Sequence, residues 1–187
     1  MISKFVKTST SVWDESISSV VFVSDEGDVD EDTVFGYIGN GTVDSVIIDG
    51  DEPLRFCETV QLAKRFKKMK LKVKIVTKGG CPESLDDLVG ACYADSVRMV
   101  FDGSEIDDNM KKTVDVIFDS GVEHEFCIIL DKNRMNAESA DAICRMIKGA
   151  KRLSLIVPDG KGFTKSEISE IGADARRFVR DVKVIGA

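Results

Sequence analysis

The chain contains no CxxC pair, no CxxxCxxC loop, no GxSxG and no P-loop motif, and it has a single histidine, His124. Each absence removes a class of function. The five cysteines (Cys57, Cys81, Cys92, Cys127 and Cys144) are too scattered for a disulfide framework or a zinc site. Cys57, Cys127 and Cys144 lie among apolar neighbours in expected helices or strands and read as buried small hydrophobes. Cys81 precedes Pro82 at a helix start and reads as a loop or capping residue; a thiol with a lowered pKa is the sharper alternative. With its only histidine inside an expected strand, the chain has no evident base for a Ser–His or Cys–His nucleophile. No apolar run approaches the ~20 residues of a membrane-spanning helix. The opening MISKFVKTSTSVW lacks the apolar core of a signal peptide, so a cytoplasmic protein is expected.

Acidic residues outnumber basic ones, 33 to 26, for a net charge of −7, which disfavours general nucleic-acid binding. The charge is polarised along the chain. Residues 1–52 carry twelve acids against two lysines, six of those acids in the eight residues 25–32. Residues 61–78 carry seven lysines and one arginine and no acid.

Residues 43–79 read as strand, turn, helix and strand. Val46, Ile47 and Ile48 form a short β-branched run, and Asp49-Gly50-Asp51-Glu52-Pro53 stops it. Phe56, Val60, Ala63 and Phe66 make one helical stripe, and residues 73–77 alternate as the next strand, ending at Thr77-Lys78-Gly79. The unit recurs. Strands are expected at 18–24, 46–48, 73–77, 95–101, 123–130 and 153–157, with a further short one at 181–185. Helices follow the first six, the last opened by the capping box Thr164-Lys165-Ser166-Glu167. Such a chain is one α/β domain spanning residues 1–187, with residues 1–17 an N-terminal extension packed on it through its aromatics. Periodicity leaves two architectures open, an open doubly wound parallel sheet and a partial βα barrel. In both, function belongs at the carboxyl ends of the strands.

Three candidate surfaces follow. The strand-end turns hold Asp49, Gly50, Asp51, Glu52, Pro53, Thr77, Lys78, Gly79 and Asp102. There Asp51 or Glu52 can accept an ammonium group, or Asp51 can simply cap the second helix with Glu52 and Pro53 in its first turn. Carboxylates at other strand ends, Asp25, Asp28, Asp131 and Asp159 among them, offer oxygen ligands for a hard divalent ion, against the ordinary use of aspartate in turns. The basic run, with Lys64, Arg65, Lys67, Lys68 and Lys70, reads as a solvated helix end or as a docking patch for an acidic partner or a second copy. It is expected on the face opposite the acidic loops.

The order of these motifs resembles the radical S-adenosylmethionine superfamily, in its glycyl-radical and anaerobic ribonucleotide reductase activating branch. The family's GGEP turn corresponds to Gly50-Asp51-Glu52-Pro53, and its TNG to Thr77-Lys78-Gly79. Residues 122–157, VEHEFCIILDKNRMNAESADAICRMIKGAKRLSLIV, are similar to its YEFRTTVVP segment with the helix and strand that follow. Residues 5–24 resemble its lead-in to the cluster loop. The resemblance implies a partial (β/α)6 barrel of TIM type.

It also implies a [4Fe–4S] cluster on a CxxxCxxC loop directly after the first strand, and here the chain departs. That place reads SDEGDVDED, without cysteine. The second glycine of GGEP is Asp51, the asparagine of TNG is Lys78, and the arginine of the fifth-strand segment is Cys127. The resemblance with these losses implies a pseudoenzyme without a [4Fe–4S] cluster. It would be an accessory or regulatory protein of an oxygen-sensitive, anaerobic enzyme system, working through a protein partner or as a homo-oligomer. Two alternatives remain at this point: a divalent-metal enzyme acting on phosphate or sugar-phosphate substrates, and a module that binds S-adenosylmethionine without cleaving it.

Overall fold

The computed structural model describes residues 1–9, 16–158 and 162–186. The elements in chain order are β1 (Ile2–Ser9), β2 (Ser18–Val23), α1 (Glu31–Gly39), β3 (Ser45–Gly50), α2 (Cys57–Lys68), β4 (Lys72–Thr77), α3 (Pro82–Gly90), β5 (Ser96–Phe101), α4 (Asp108–Ser120), β6 (Glu123–Ile129), α5 (Ala137–Met146), β7 (Arg152–Ile156), α6 (Lys165–Ala175) and β8 (Asp181–Ile185). A single 3₁₀ turn, Pro53–Arg55, precedes α2.

The eight strands form one sheet in sequential order, β1 to β8. All neighbours from β2 onward pair parallel, and β1 pairs antiparallel with β2. Each crossover moves one strand in the same direction. Right-handed crossovers that never reverse direction put every helix on the same side of the sheet. One continuous core bears this out, joining Val21, Val46, Ile48, Val73, Ile75, Val97, Met99, Phe126, Ile128, Leu153 and Leu155 to the inner faces of the helices. A doubly wound sheet needs a reversal of strand order, and this sheet has none. The winding is that of a partial barrel.

Helix ends are fixed by local chemistry. The side chains of Asp30, Asp107, Asn136 and Thr164 accept N–H groups in the first turns of α1, α4, α5 and α6. At Thr164 the expected capping box is complete, with Glu167 accepting from the Thr164 N–H at 2.8 Å. The structure adds one strand to the expected set. Residues 2–9 are not an appendage lying on the domain but the edge strand β1 of the sheet itself. Trp13, expected to help pack this segment, lies outside the described residues.

The face away from the helices has a different character. A small apolar group (Val20, Ile47 and Val76, with Val6, Phe22 and Val100) occupies its β1–β5 side. The alternate positions of β4 to β7 place Lys74, Arg98, Glu125 and Ser154 there instead of the branched apolar residues that fill a closed βα barrel. No helix among the described residues is long and apolar enough to cross a membrane.

Candidate functional site

The carboxyl ends of β3, β4 and β5 bring together the motif residues expected there. β3 ends at Gly50, whose φ is +154°; a Cβ at this position would lie 2.3 Å from the Val23 carbonyl oxygen of β2. Glycine is therefore required for β2 and β3 to end side by side. After the turn, Glu52 reaches across to β4. Its carboxylate accepts from Thr77 Oγ1 at 2.8 and 2.9 Å, from the Lys78 N–H at 3.0 Å and from the Gly80 N–H at 3.1 Å. It also accepts from the Leu54 N–H at 3.3 Å, which makes Glu52 the cap of the Pro53–Arg55 turn. The expectation that Asp51 caps the second helix is thus corrected. Pro53 opens a separate 3₁₀ turn, α2 starts later at Cys57, and its N-cap, Phe56, offers no side-chain bond.

Asp51 has another partner. Lys78 Nζ lies 2.5 Å from Asp51 Oδ1 and 3.0 Å from Asp102 Oδ2, spanning the ends of three strands. The hydrogen bond from Lys78 holds the Asp51 carboxyl below its usual range, and the same contact, with Asp102, raises the Lys78 ammonium above its own. Arg134 Nη1 approaches Asp102 at 3.5 Å from the loop before α5, a contributor the sequence reading missed. Asp49 turns to the helix-free face and accepts the Gly50 N–H at 2.7 Å. Burial pushes its pKa up, against the pull of Gly50, Arg98 and Lys78. Gly79, at φ +91°, keeps the loop close to α4: an added Cβ would meet Met99 Cε at 2.4 Å, and Thr113 Oγ1 donates to the Gly79 carbonyl at 2.9 Å.

Below this rim, on the helix-free face, lies a charged cluster that sequence reasoning did not assemble. Arg98 donates to Glu125 Oε2 at 2.7 and 3.0 Å, and Ser154 Oγ donates to Glu125 Oε1 at 2.6 Å. Burial opposes ionisation of Glu125, yet Arg98, Ser154 and Lys74 outweigh it and keep its pKa below the usual value. Lys74 is buried beside them, and burial, reinforced by Arg98, pushes its pKa down to about 8. The available signal was a charged residue at alternate positions of otherwise apolar strands.

The remaining candidates are placed apart. Asp25 pairs with Arg55 at 2.5 Å, Asp28 is exposed, and Asp131 is buried and accepts the Asn133 N–H at 3.0 Å. Asp159 lies outside the described residues. Among the described residues no three His, Cys, Asp or Glu side chains are grouped to hold a metal ion. The basic run is partly consumed within the chain. Arg65 pairs with Glu31 and lies over the Phe35 ring, and Lys67 binds both oxygens of Asp95 at 2.6 and 2.8 Å. The Arg65–Glu31 pair shows that this run meets the acidic segment instead of standing wholly opposite it. Lys68 and Lys70 are exposed and Lys64 half-buried.

Cys127 and Cys144 are buried, and burial pushes their thiols up to about 12 and about 11. Cys57, expected to be buried, is exposed because it is the first residue of α2. Burial, then Glu52 and Glu83, raises the Cys81 thiol, so the alternative of a lowered pKa is overturned. His124 is a packing residue: its ring meets Phe118 and Phe126, with Nδ1 2.9 Å from the Val122 carbonyl oxygen.

No family model matches the chain, and no curated protein is similar to it in sequence. Two solved structures of SuiB from Streptococcus suis share the fold. One aligns with a TM-score of 0.63 at 14% identity over 88% of this chain. The other, SuiB bound to S-adenosylmethionine, aligns at 0.56 and 15% identity over 76%. The chain thus shares its fold with SuiB. It spans 45% and 38% of the two SuiB chains, so the likeness concerns one part of those proteins.

A site-differentiated [4Fe–4S] cluster needs three thiolates converging from one loop. The loop after β2 has none, and its groups are otherwise employed: Asp30 caps α1, Asp25 holds Arg55, and the Ser24 and Val29 N–H groups bond to the Met1 and Ile2 carbonyls. The residues present do not fit that group.

Proposed function

We propose that the protein acts by binding, as a cluster-less relative of the radical S-adenosylmethionine fold serving an accessory or regulatory role toward a protein partner. The observation that carries this reading is the loop of residues 24–30. It occupies the position after the first parallel strand, and it offers carboxylates and backbone bonds in place of thiolates. Without thiolates the fold has no electron source for reductive cleavage of S-adenosylmethionine, while the rim and the charged inner face persist. Anaerobic reconstitution with iron and sulfide tests this. The expected result is no cluster absorption in the visible range and no cleavage of S-adenosylmethionine on adding reductant. A cluster formed stoichiometrically, with cleavage activity, overturns it.

A second reading is favoured by one specific observation, the strand-end rim. Asp51 and Asp102 converge on an ammonium, that of Lys78, and a structure of similar fold is described as bound to S-adenosylmethionine. In this reading the rim holds that ligand by its amino group without cleaving it, as a sensor. Calorimetric titration separates the two readings: saturable binding supports the sensor, and a flat titration leaves the partner-binding role alone. The divalent-metal reading has no grouped ligand set among the described residues.

A further inference from the structure

The helix-covered face of the sheet is organised in register rows, and one row ends abnormally. Phe101, Ile128, Leu155 and Val184 are successive partners across β5, β6, β7 and β8. The first three are 1%, 0% and 0% exposed, whereas Val184 is 39% exposed although it points to the same side. Beyond it lies a groove between α6 and the sheet edge, lined by Lys165, Ile168, Ser169, Gly172, Arg176 and Val184. Gly172 supplies the room. A Cβ built there would lie 3.5 Å from Arg176 Nη1 and 3.9 and 4.0 Å from Leu155 and Val184 side-chain atoms, so its absence leaves space beside Val184, bordered by the Arg176 guanidinium.

The backbone of this edge is also available. The Asp181 N–H donates to Lys151 and the Ile185 carbonyl accepts from Val157, so Asp181, Lys183 and Ile185 turn their amide groups toward β7. Strand alternation then directs the N–H and C=O groups of Val182 and Val184 outward, away from the sheet. Among the described residues β8 pairs with β7 alone. The opposite edge is guarded differently. There β1 carries Lys4 and Lys7 folded over the Phe22 and Tyr37 rings, the kind of charged cover that deters further strand pairing. On β8 the one lysine, Lys183, lies on the helix-free side, while the tip presents Val184 and Ile185, the latter 50% exposed.

We propose that the β8 edge is a docking site for an extended, acidic segment of a partner protein, which adds as a ninth strand. Its backbone pairs with the outward groups of Val182 and Val184. One apolar side chain enters the groove over Gly172 against Ile168 and Val184, continuing the buried row. The sign of the partner follows from the groove's charges. Lys165 and Arg176 are both exposed, neither is in an ion pair among the described residues, and no acid lines the groove. Glutamates flanking the apolar residue would meet these two cations.

The test uses two fluorescein-labelled heptapeptides and the full chain. One alternates glutamate with apolar residues (Glu-Val-Glu-Ile-Glu-Val-Glu) and the other has lysine in place of every glutamate. Anisotropy titrations should show saturable binding of the acidic peptide and at least tenfold weaker binding of the basic one. The double variant Lys165→Glu/Arg176→Glu, whose changes are on the surface, should reverse that preference. Val184→Glu should weaken the acidic peptide tenfold or more, with circular dichroism showing the fold retained. Equal binding of both peptides, or none by either, overturns the proposal. So does a Val184-dependent dimer in sedimentation with no peptide binding, since the edge would then serve a second copy of this chain.

Discussion

The Glu52 carboxylate stands 2.8 Å from the Thr77 hydroxyl and accepts two further backbone N–H groups from the loop after β4, so one side chain ties the ends of two adjacent parallel strands. Thr77 is buried, and water cannot readily replace this partner. Glu52→Ala should therefore cost about 2–3 kcal/mol, the scale of leaving buried donors unpaired. In a chain of this size that is a melting-temperature drop of roughly 4–12 °C. Glu52→Gln, which keeps an acceptor oxygen, should cost less than half as much. Thermal unfolding of the two variants checks the order.

Two glycines should respond oppositely to alanine. At Gly50 the new Cβ would lie 2.3 Å from a backbone oxygen, so Gly50→Ala should destabilise by more than about 2 kcal/mol or prevent folding. Gly36 sits inside α1 with nothing within 4 Å of the added atom, so Gly36→Ala should stabilise by about 0.5–1 kcal/mol. Urea unfolding midpoints measure both.

Lys74 gives a pH dependence of known sign. Its pKa is about 8 in the folded protein against 10.5 as an ordinary lysine, so between those values the unfolded chain holds the proton and the folded one does not. Its contribution to stability therefore rises with pH from about 8 to about 10.5, by on the order of 1–3 kcal/mol. Lys74→Met should remove that rise. Denaturation midpoints at pH 7.5, 8.5 and 9.5 for both proteins make the comparison.

Lys78 lies between Asp51 and Asp102, but the Asp51 side chain is 80% exposed, so the pair adds little to stability. Lys78→Met should change stability by less than about 1 kcal/mol. The same variant frees Asp51 of its lysine and leaves Asp102 with Arg134 alone. If the rim takes an amino group, its affinity for S-adenosylmethionine should increase about tenfold or more in calorimetry; an unchanged or lower affinity counts against the sensor reading.

Thiol labelling should divide the cysteines. Cys57 and Cys92 are exposed and should alkylate in the native protein, while Cys127 and Cys144, buried with raised pKa values, should react only after unfolding. Mass spectrometry of iodoacetamide-treated protein with and without denaturant reads the split.

Much of the architecture could be read from the chain because β2 to β8 are short apolar runs, each joined to the next by an amphipathic helix. β1 escaped notice for a physical reason. A register shift between Ile2 and Lys4 puts Ile2 and Phe5 on the core face and Lys4 and Val6 on the other, so no strict alternation marks the strand. The choice between a doubly wound sheet and a one-way winding depends on which strands are neighbours, and local periodicity carries no information about that. The strand-end motifs were visible as turns, but their partners were not. Glu52 and Thr77 are separated by the whole of α2, and only the pairing of β3 with β4 brings them together. Lys74, Arg98 and Glu125 likewise stood out singly; the register of β4, β5 and β6 makes them one cluster.

The start of β1 also bears on how the loop after β2 can tolerate substitution. The carbonyls of Met1, just before β1, and of Ile2 hold the N–H groups of Ser24 and Val29, and Gly27 lies so close that a Cβ would be 2.5 Å from the Ile2 oxygen. The loop is thus fastened to the sheet like a buckled strap. Main-chain groups make the fastening, so side chains in the loop other than Gly27 can change without altering its course. The surface it presents is free to vary while its path stays fixed.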